Sequence, residues 1–296
     1  MSGFVLSDLL EEFLLDLQVK NYSRETVKTT KTSINQLIKF GGDIEINKIN
    51  RLHLKKFIID QQTKVKANTI NHRLKLIRSM FSYAIEQGLL KENPMEGITK
   101  LKTEKNVIRT YSADLIREVL ESFKGRDYIS VRNKTIFVLL VETGIRNSEL
   151  CNIKLSDLSG NSIRIMGKGS KVRYVPITES LDLQIKRYMR VRERYLNGVE
   201  SDNLFINRFK KPMTRHVLLD IVKNQIFKGM DINVNTSVHQ FRRFYAQNML
   251  ENTDLYTVSK LLGHSDIKTT ETYIRGIENS KLIEKGMNSP LSKIRK

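Results

Sequence analysis

Apolar residues along this chain recur mostly at intervals of three and four, the spacing that lines one face of a helix. The pattern predicts helices near 6–19, 23–40, 51–62, 68–87, 112–123, 131–142, 179–196, 214–228, 238–250, 254–262 and 266–280. Four prolines and fifteen glycines interrupt 296 residues, too few for a turn-rich β protein. One stretch departs from the helical period. In SIRIMGKGSKVRYVPI, Ile163 and Ile165 alternate with polar residues, a glycine-flanked turn follows, and Tyr174 to Ile177 reads as a returning strand. The helical pattern stops at Asn93-Pro94, and the polar, poorly periodic MEGITKLKTEKNVIRT follows. These features predict a mainly α protein of two domains. A helical domain spans 1–99, a linker 100–110, and a mostly helical domain with a small antiparallel sheet or hairpin 111–296.

Charge sharpens this picture. Residues 1–100 carry a net +5 and the remainder +14, so the total of +19 is spread over both parts. Such a field favours a polyanion, most simply nucleic acid. An anionic membrane surface is the alternative, but the chain lacks a strongly amphipathic basic and aromatic segment. Cys151 is the single cysteine, which excludes an intrachain disulfide and a thiolate-rich zinc site and fits a reducing cytoplasm. The N-terminus, MSGFVLSDLLEEF, is amphipathic and acidic, unlike a signal peptide. The apolar run from Ile136 to Val141 is far too short to span a bilayer.

Several positions have the spacing of chemistry. On the helix near 68–87, Asn71, Lys75, Arg78 and Ser82 share a face beside the apolar stripe Ile70, Leu74, Ile77, Phe81 and Ile85. Long cations among small polar residues suit a phosphate-lined groove, and an ordinary solvated face reads equally well. In TSVHQFRRFYAQNML, Ser237 and Gln240 have capping-box spacing, Phe241, Tyr245 and Met249 face a core, and His239 and Arg242 share another side. Ala246 lies on that side and leaves room for a bulky group. Gly144 reads as a helix terminator, Asn147 or Ser148 as the next cap, with Arg146 in the tight connection between them. Lys168 sits at a hairpin tip. In LLGHSDIKTTETYI, Gly263 ends a helix, His264 falls in the connection, and Ser265 or Asp266 can cap the following helix. There Ile267 and Ile274 mark the buried side, which leaves Tyr273 about 100° round on the flank. Taken singly, each residue also fits a structural role, and Tyr273 reads as a packing tyrosine.

Together, Arg146 in TGIRNSEL, Lys168 in GKGSK, His239 and Arg242 in HQFR, His264 in LLGH and Tyr273 nine positions later resemble, in order and spacing, the tyrosine recombinase (phage integrase) family. ANTINHRLKLIRSMFSYAIEQGLLKENPMEGI is similar to the core-binding domain of that family, and the compact length resembles Xer-type and small mobile-element recombinases. Two positions depart: Arg243 and Gln247 stand where many members have His and Thr. The resemblance implies a core-binding domain and a catalytic domain that clamp double-stranded DNA, with Asn71, Lys75, Arg78, Ser82 and Arg243 as candidate DNA contacts. It implies catalysis by Arg146, Lys168, His239, Arg242, His264 and the nucleophile Tyr273. The reaction would pass through a 3′-phosphotyrosyl intermediate, without ATP, metal or other cofactor. It further implies a homotetramer on two duplexes, with accessory DNA-binding proteins in some systems. The tail NSKLIEKGMNSPLSKIRK has few core residues, and Leu282 and Ile283 are expected to dock it on a neighbouring protomer. A type IB topoisomerase and a DNA-binding protein without activity are the competing readings. Glu149 and Asp157 read as structural partners of the basic residues.

Overall fold

A computed structural model describes residues 4–103, 110–167, 171–230, 236–264 and 266–274. Lys168, residues 104–109 of the expected linker, and the tail with Leu282 and Ile283 lie outside the described residues. The chain forms two compact units, Met1–Asn106 and Val107–Lys296. No helix among the described residues is long and apolar enough to cross a membrane.

The first unit contains four helices, α1 (Leu6–Val19), α2 (Arg24–Gly41), α3 (Arg51–Gln62) and α4 (Ala67–Glu86). Short polar side chains start two of them. Ser23 accepts from the Thr26 amide and Asn50 from the His53 amide, satisfying N–H groups that a helix leaves open. Leu9, Ile34, Leu54, Phe57, Ile70, Ile77 and Phe81 are fully buried between the helices. Covering one such side chain stabilises the unit by roughly 1.5–3 kcal/mol. Ile85, the last residue of the expected α4 stripe, stays 36% exposed because the stripe runs past the end of the core.

The polar stripe of α4 is engaged locally. The Asn71 side chain donates to the Leu101 carbonyl at 3.0 Å and accepts from the Leu101 amide at 2.8 Å. Arg78 donates to the Ile98 carbonyl, and Ser82 is hydrogen-bonded by Asn93 at 3.1 Å. Three of the four residues expected to face phosphate therefore hold the 93–101 segment, while Lys75 remains exposed. This attachment also carries the first unit beyond residue 99, where the sequence pattern had ended it. Asn71→Ala should release that segment at a cost of about 1–3 kcal/mol, the scale of unsatisfied backbone groups. Amide hydrogen exchange at Leu101 is the measurement, and the expected outcome is a large loss of protection there.

The second unit is built round α6 (Tyr128–Thr143), which is buried on almost every side: Val131, Ile136, Phe137, Leu139 and Leu140 are each at most 2% exposed. A helix buried on most sides belongs in a core, and its buried polar residues Arg132 and Asn133 are hydrogen-bonded to one another. Its neighbours are α5 (Ala113–Ser122), α8 (Glu179–Leu196) and α10 (Val238–Asn252). A short α7 (Asn147–Asn152) leads to an antiparallel sheet of β1 (Leu158–Ser159), β2 (Ser162–Met166) and β3 (Val172–Pro176), in the order β1-β2-β3. Ile163 pairs with Val175 and Ile165 with Arg173, so these four side chains share the inner face of the sheet. The expected helix 214–228 is two pieces. α9 (Arg215–Asp220) runs into a wider π-type turn, Ile221–Ile226, where Asp220 accepts from both Asn224 and Gln225. The unit's described part ends with α11 (Leu255–Leu262) and α12 (Lys268–Ile274).

Candidate active site

Two glycines open the site. Gly144 terminates α6 with φ +56°, and Gly263 terminates α11 with φ +66°, the left-handed conformation that glycine adopts without penalty. Each also lies under a neighbour: a Cβ at Gly144 would meet the Tyr245 ring at 2.9 Å, and one at Gly263 would meet Arg173 Cδ at 2.9 Å. The chain therefore turns sharply after each helix, leaving the carbonyls at both C-terminal ends facing inward.

Arg242 uses those carbonyls. Its Nη1 donates to the Gly144 carbonyl at 2.9 Å and its Nη2 to the Leu262 carbonyl at 2.6 Å, the negative ends of two helices. The residue is 2% exposed. Burial, and then the nearby Arg146 cation, bring its pKa down to about 10, so it remains charged at neutral pH. Arg146 stands at the start of α7. Its own amide donates to Glu149 Oε2 at 2.7 Å, its Nη1 to Glu149 Oε1 at 2.8 Å, and its Nη2 to the Gly263 carbonyl at 3.3 Å. Glu149, rather than Asn147 or Ser148, thus caps α7, because its side chain reaches back three residues.

Glu149 is buried and accepts two further bonds, from Arg173 Nη1 and Nη2, both at 2.8 Å. Burial alone would raise the carboxyl. The Arg173 and Arg146 hydrogen bonds outweigh it and hold the pKa at about 2. Asp157, the other acid read as structural, pairs with Arg164 at 2.9 Å and caps the turn at Lys154, away from this cluster.

The two histidines flank Tyr273. The His264 ring lies 5.9 Å from the Tyr273 ring and the His239 ring 6.4 Å from it, centre to centre. His264 Nδ1 shares a hydrogen bond of 2.7 Å with the buried Thr270 hydroxyl, so its Nε2 is the nitrogen left for a ligand. Burial, followed by the cations Arg242, Arg146 and Arg173, lowers its pKa to about 4. His239 is lowered by burial and then by Arg243, Arg242 and Arg146. Both rings are therefore neutral at physiological pH. Arg243 itself donates to the Gln240 side chain at 3.2 Å, and its buried Nε has no partner.

Three expectations need correction here. Tyr273 is not on a solvated flank: it is 2% exposed, packed with Tyr245, Ala246, Val258 and Leu262. The reason is that α12 contacts both α10 and α11, so two of its sides are covered, and the small Ala246 gives the ring room. Ile267 is 38% exposed, because it lies in the turn before the helix starts. Ser237 immediately precedes α10 at its N-cap, but its side chain makes no capping bond. Its backbone is hydrogen-bonded with Tyr111 instead, and Gln240 is engaged by Arg243. Asp266 caps the turn at Lys268, while Ser265 and the Ile274 side chain lie outside the described residues. Lys168 does too. The strands on either side of it end at Met166 and Val172, with the Gly167 amide donating to the Lys171 carbonyl at 2.7 Å.

Arg173 and Thr270 were not singled out from the sequence, and Gln247 was noted only as a departure from the family pattern, although each holds part of the site. Gln247 donates to the Tyr273 carbonyl at 3.1 Å. Only Arg173 carried a signal: in VRYVPI it has the same strand parity as Val175, a cation at an inward position.

A two-unit helical protein with a small sheet, and a buried tyrosine among two arginines and two neutral histidines, defines a class. The phage integrase family model matches residues 109–279, and the model of the phage integrase SAM-like domain matches residues 5–104. The chain belongs to the phage integrase family and is of the tyrosine recombinase type. It is 30% identical over 279 residues to tyrosine recombinase XerC of Anoxybacillus flavithermus, covering 89% of this chain and 91% of the relative. Among solved structures, the XerH site-specific recombinase bound to a palindromic difH substrate, a post-cleavage complex, superposes with TM-score 0.76 at 21% identity, covering 96% of this chain and 84% of that one. The lambda integrase tetramer bound to a Holliday junction gives TM-score 0.70 at 15% identity, covering 88% and 78%.

The depressed histidine and carboxyl fix the acid behaviour of the folded state. Below pH 6.5 the unfolded chain protonates His264 while the folded site does not, so stability falls as pH drops from 6.5 to about 4. Glu149 adds a separate loss that begins near 4.5 and continues to about 2. His264→Gln should therefore flatten the first limb, in which His239 shares, and leave the second. Urea midpoints recorded between about pH 7 and pH 3 test this separation.

Proposed function

We propose that the protein is a site-specific DNA recombinase that cuts and rejoins strands by transesterification, with Tyr273 as nucleophile. The observation that carries this reading is the convergence of Arg146, Arg242, His264 and His239 on one tyrosine. Each guanidinium commits two of its five N–H groups to protein acceptors, which leaves donors for the non-bridging oxygens of a phosphodiester. Fixed in advance, these donors oppose the charge that grows in the five-coordinate transition state. A phenol loses its proton near pH 10, at about that value, so attack at neutral pH calls for a cationic field and a proton acceptor. Neutral His239 is suited to take the proton, and His264 to hydrogen-bond a phosphate oxygen through Nε2.

Lys168, at the hairpin, is assigned the protonation of the departing 5′-oxygen. The bond broken at the phosphodiester is replaced by the phosphotyrosyl bond, so rejoining by a 5′-hydroxyl needs no ATP and no metal. Since Tyr273 is buried, the segment carrying it must shift before it can meet DNA. A homotetramer on two duplexes completes the reading, in line with the state recorded for the lambda integrase structure. The tail with Leu282 and Ile283 is assigned to docking between protomers, and Asn71, Lys75, Arg78, Ser82 and Arg243 to the DNA interface. Of these, Lys75, Arg78 and Arg243 have donors left for phosphate. The cytoplasm, on DNA, is the corresponding location.

A nicked duplex that traps the covalent intermediate tests the assignment. Wild type should form a protein–DNA adduct linked to a 3′ phosphate, and Tyr273→Phe should form none. An adduct that persists in Tyr273→Phe would move the nucleophile elsewhere, with the exposed Tyr256 next in line. Arg146→Ala and Arg242→Ala should retain DNA binding and lose roughly 10²–10³-fold in cleavage rate.

A further inference from the structure

We infer that Arg173 is a positioning residue of this site, tying the return strand of the lysine hairpin to the Arg146–Glu149 pair and to the turn that carries His264. The inference rests on the recombinase reading above. Arg173 pairs with Ile165 across the sheet and lies on the same inner face as Ile163 and Val175, which are fully buried. A charge there must be desolvated, and an aliphatic residue would serve the core at lower cost. Its retention at that position is explained by what its guanidinium joins.

The fork of Arg173 grips both oxygens of Glu149 at 2.8 Å. The same two oxygens receive the Arg146 amide and Nη1. The orientation of Arg146 is therefore set by a carboxylate that Arg173 orients from the other side. The third donor, Nε, holds the Leu261 carbonyl at 2.9 Å, in the last turn of α11. The side-chain methylenes lie beneath Gly263, whose carbonyl accepts from Arg146 and whose successor is His264. One side chain thus touches β3, the support of Arg146 and the end of α11. Its side chain is only 11% exposed, and each of its three nitrogens already donates to a protein oxygen. Arg164, on the outer face of the neighbouring strand, offers a contrast: it makes an arginine–carboxylate pair with Asp157 and touches none of the site residues.

A lysine keeps the charge of Arg173 but cannot grip two oxygens and a carbonyl at once. Arg173→Lys should slow single-turnover adduct formation by about 10²-fold while changing the DNA dissociation constant by less than about 3-fold. Glu149→Gln should act in the same direction. The Arg173→Lys, Glu149→Gln double variant should be no more than about 3-fold slower than the slower single one, since both break one unit. Arg164→Lys, which disturbs a comparable pair, should stay within about 3-fold of wild type in both measurements. Arg173→Gln is the second variant and should show the same loss, with folding confirmed by far-ultraviolet circular dichroism. Wild-type cleavage by Arg173→Lys overturns the inference. So does a loss of DNA affinity as large as the loss of rate, which would make Arg173 a DNA contact. An equal slowing by Arg164→Lys overturns it as well. If the wild type itself forms no adduct, it is the recombinase reading that fails.

Discussion

Cations repel, and a site that gathers several of them must offset that repulsion within the fold. In this protein the buried Glu149 carboxylate makes that possible. It accepts from two guanidiniums and a backbone amide at once, and is held ionised far below the ordinary range. Arg242, lacking an acid hydrogen-bonded to it, keeps its charge and is solvated by the C-terminal carbonyls of two helices. The second device relies on the left-handed glycines that end α6 and α11. Remove the glycines and neither carbonyl faces inward. Remove the carboxylate and Arg146 loses the partner that aims it.

Much of this was legible in the sequence because it is local. The helical period located eleven segments, with α1, α3 and α8 at their expected bounds, and the alternation of Ile163 and Ile165 located the sheet. Gly144 and Gly263 were recognisable as helix ends from their place after apolar runs, and both take the left-handed conformation. The residues that pair over long sequence distances were not legible. Nothing near Asn71 says that its partner is Leu101, thirty positions on, so a face that looked free for phosphate is partly used. Arg173 meets Glu149 across the fold, and periodicity is blind to such pairs. The misplacement of Tyr273 has the same origin. Helical geometry fixes its angle relative to Ile274, but burial depends on how many neighbouring helices cover α12.

The histidines show how position converts an ordinary residue into a specialised one. Imidazoles in water are divided between charged and neutral forms near neutral pH. Here burial and three or more neighbouring cations remove that ambiguity and keep both rings neutral. A neutral ring can accept a proton or donate a hydrogen bond without adding to the crowd of positive charge. The clustered arginines thus also set the protonation state of the imidazoles beside them.

The sheltered Tyr273 carries a thermodynamic consequence. Covering a large aromatic side chain stabilises the closed arrangement by roughly 1.5–3 kcal/mol, and the Gln247 bond to the Tyr273 carbonyl adds about 1 kcal/mol. Together these correspond to roughly one molecule in about 60 to 1,000 exposing Tyr273 spontaneously at 25 °C. A substrate that requires the presented form must make up that fraction from its own contacts, so its apparent affinity is weakened in proportion. Sequences that bind loosely leave the population almost unmoved, whereas a tight site shifts it. The cluster that covers the Tyr273 ring therefore sets a threshold for any ligand that needs the ring exposed.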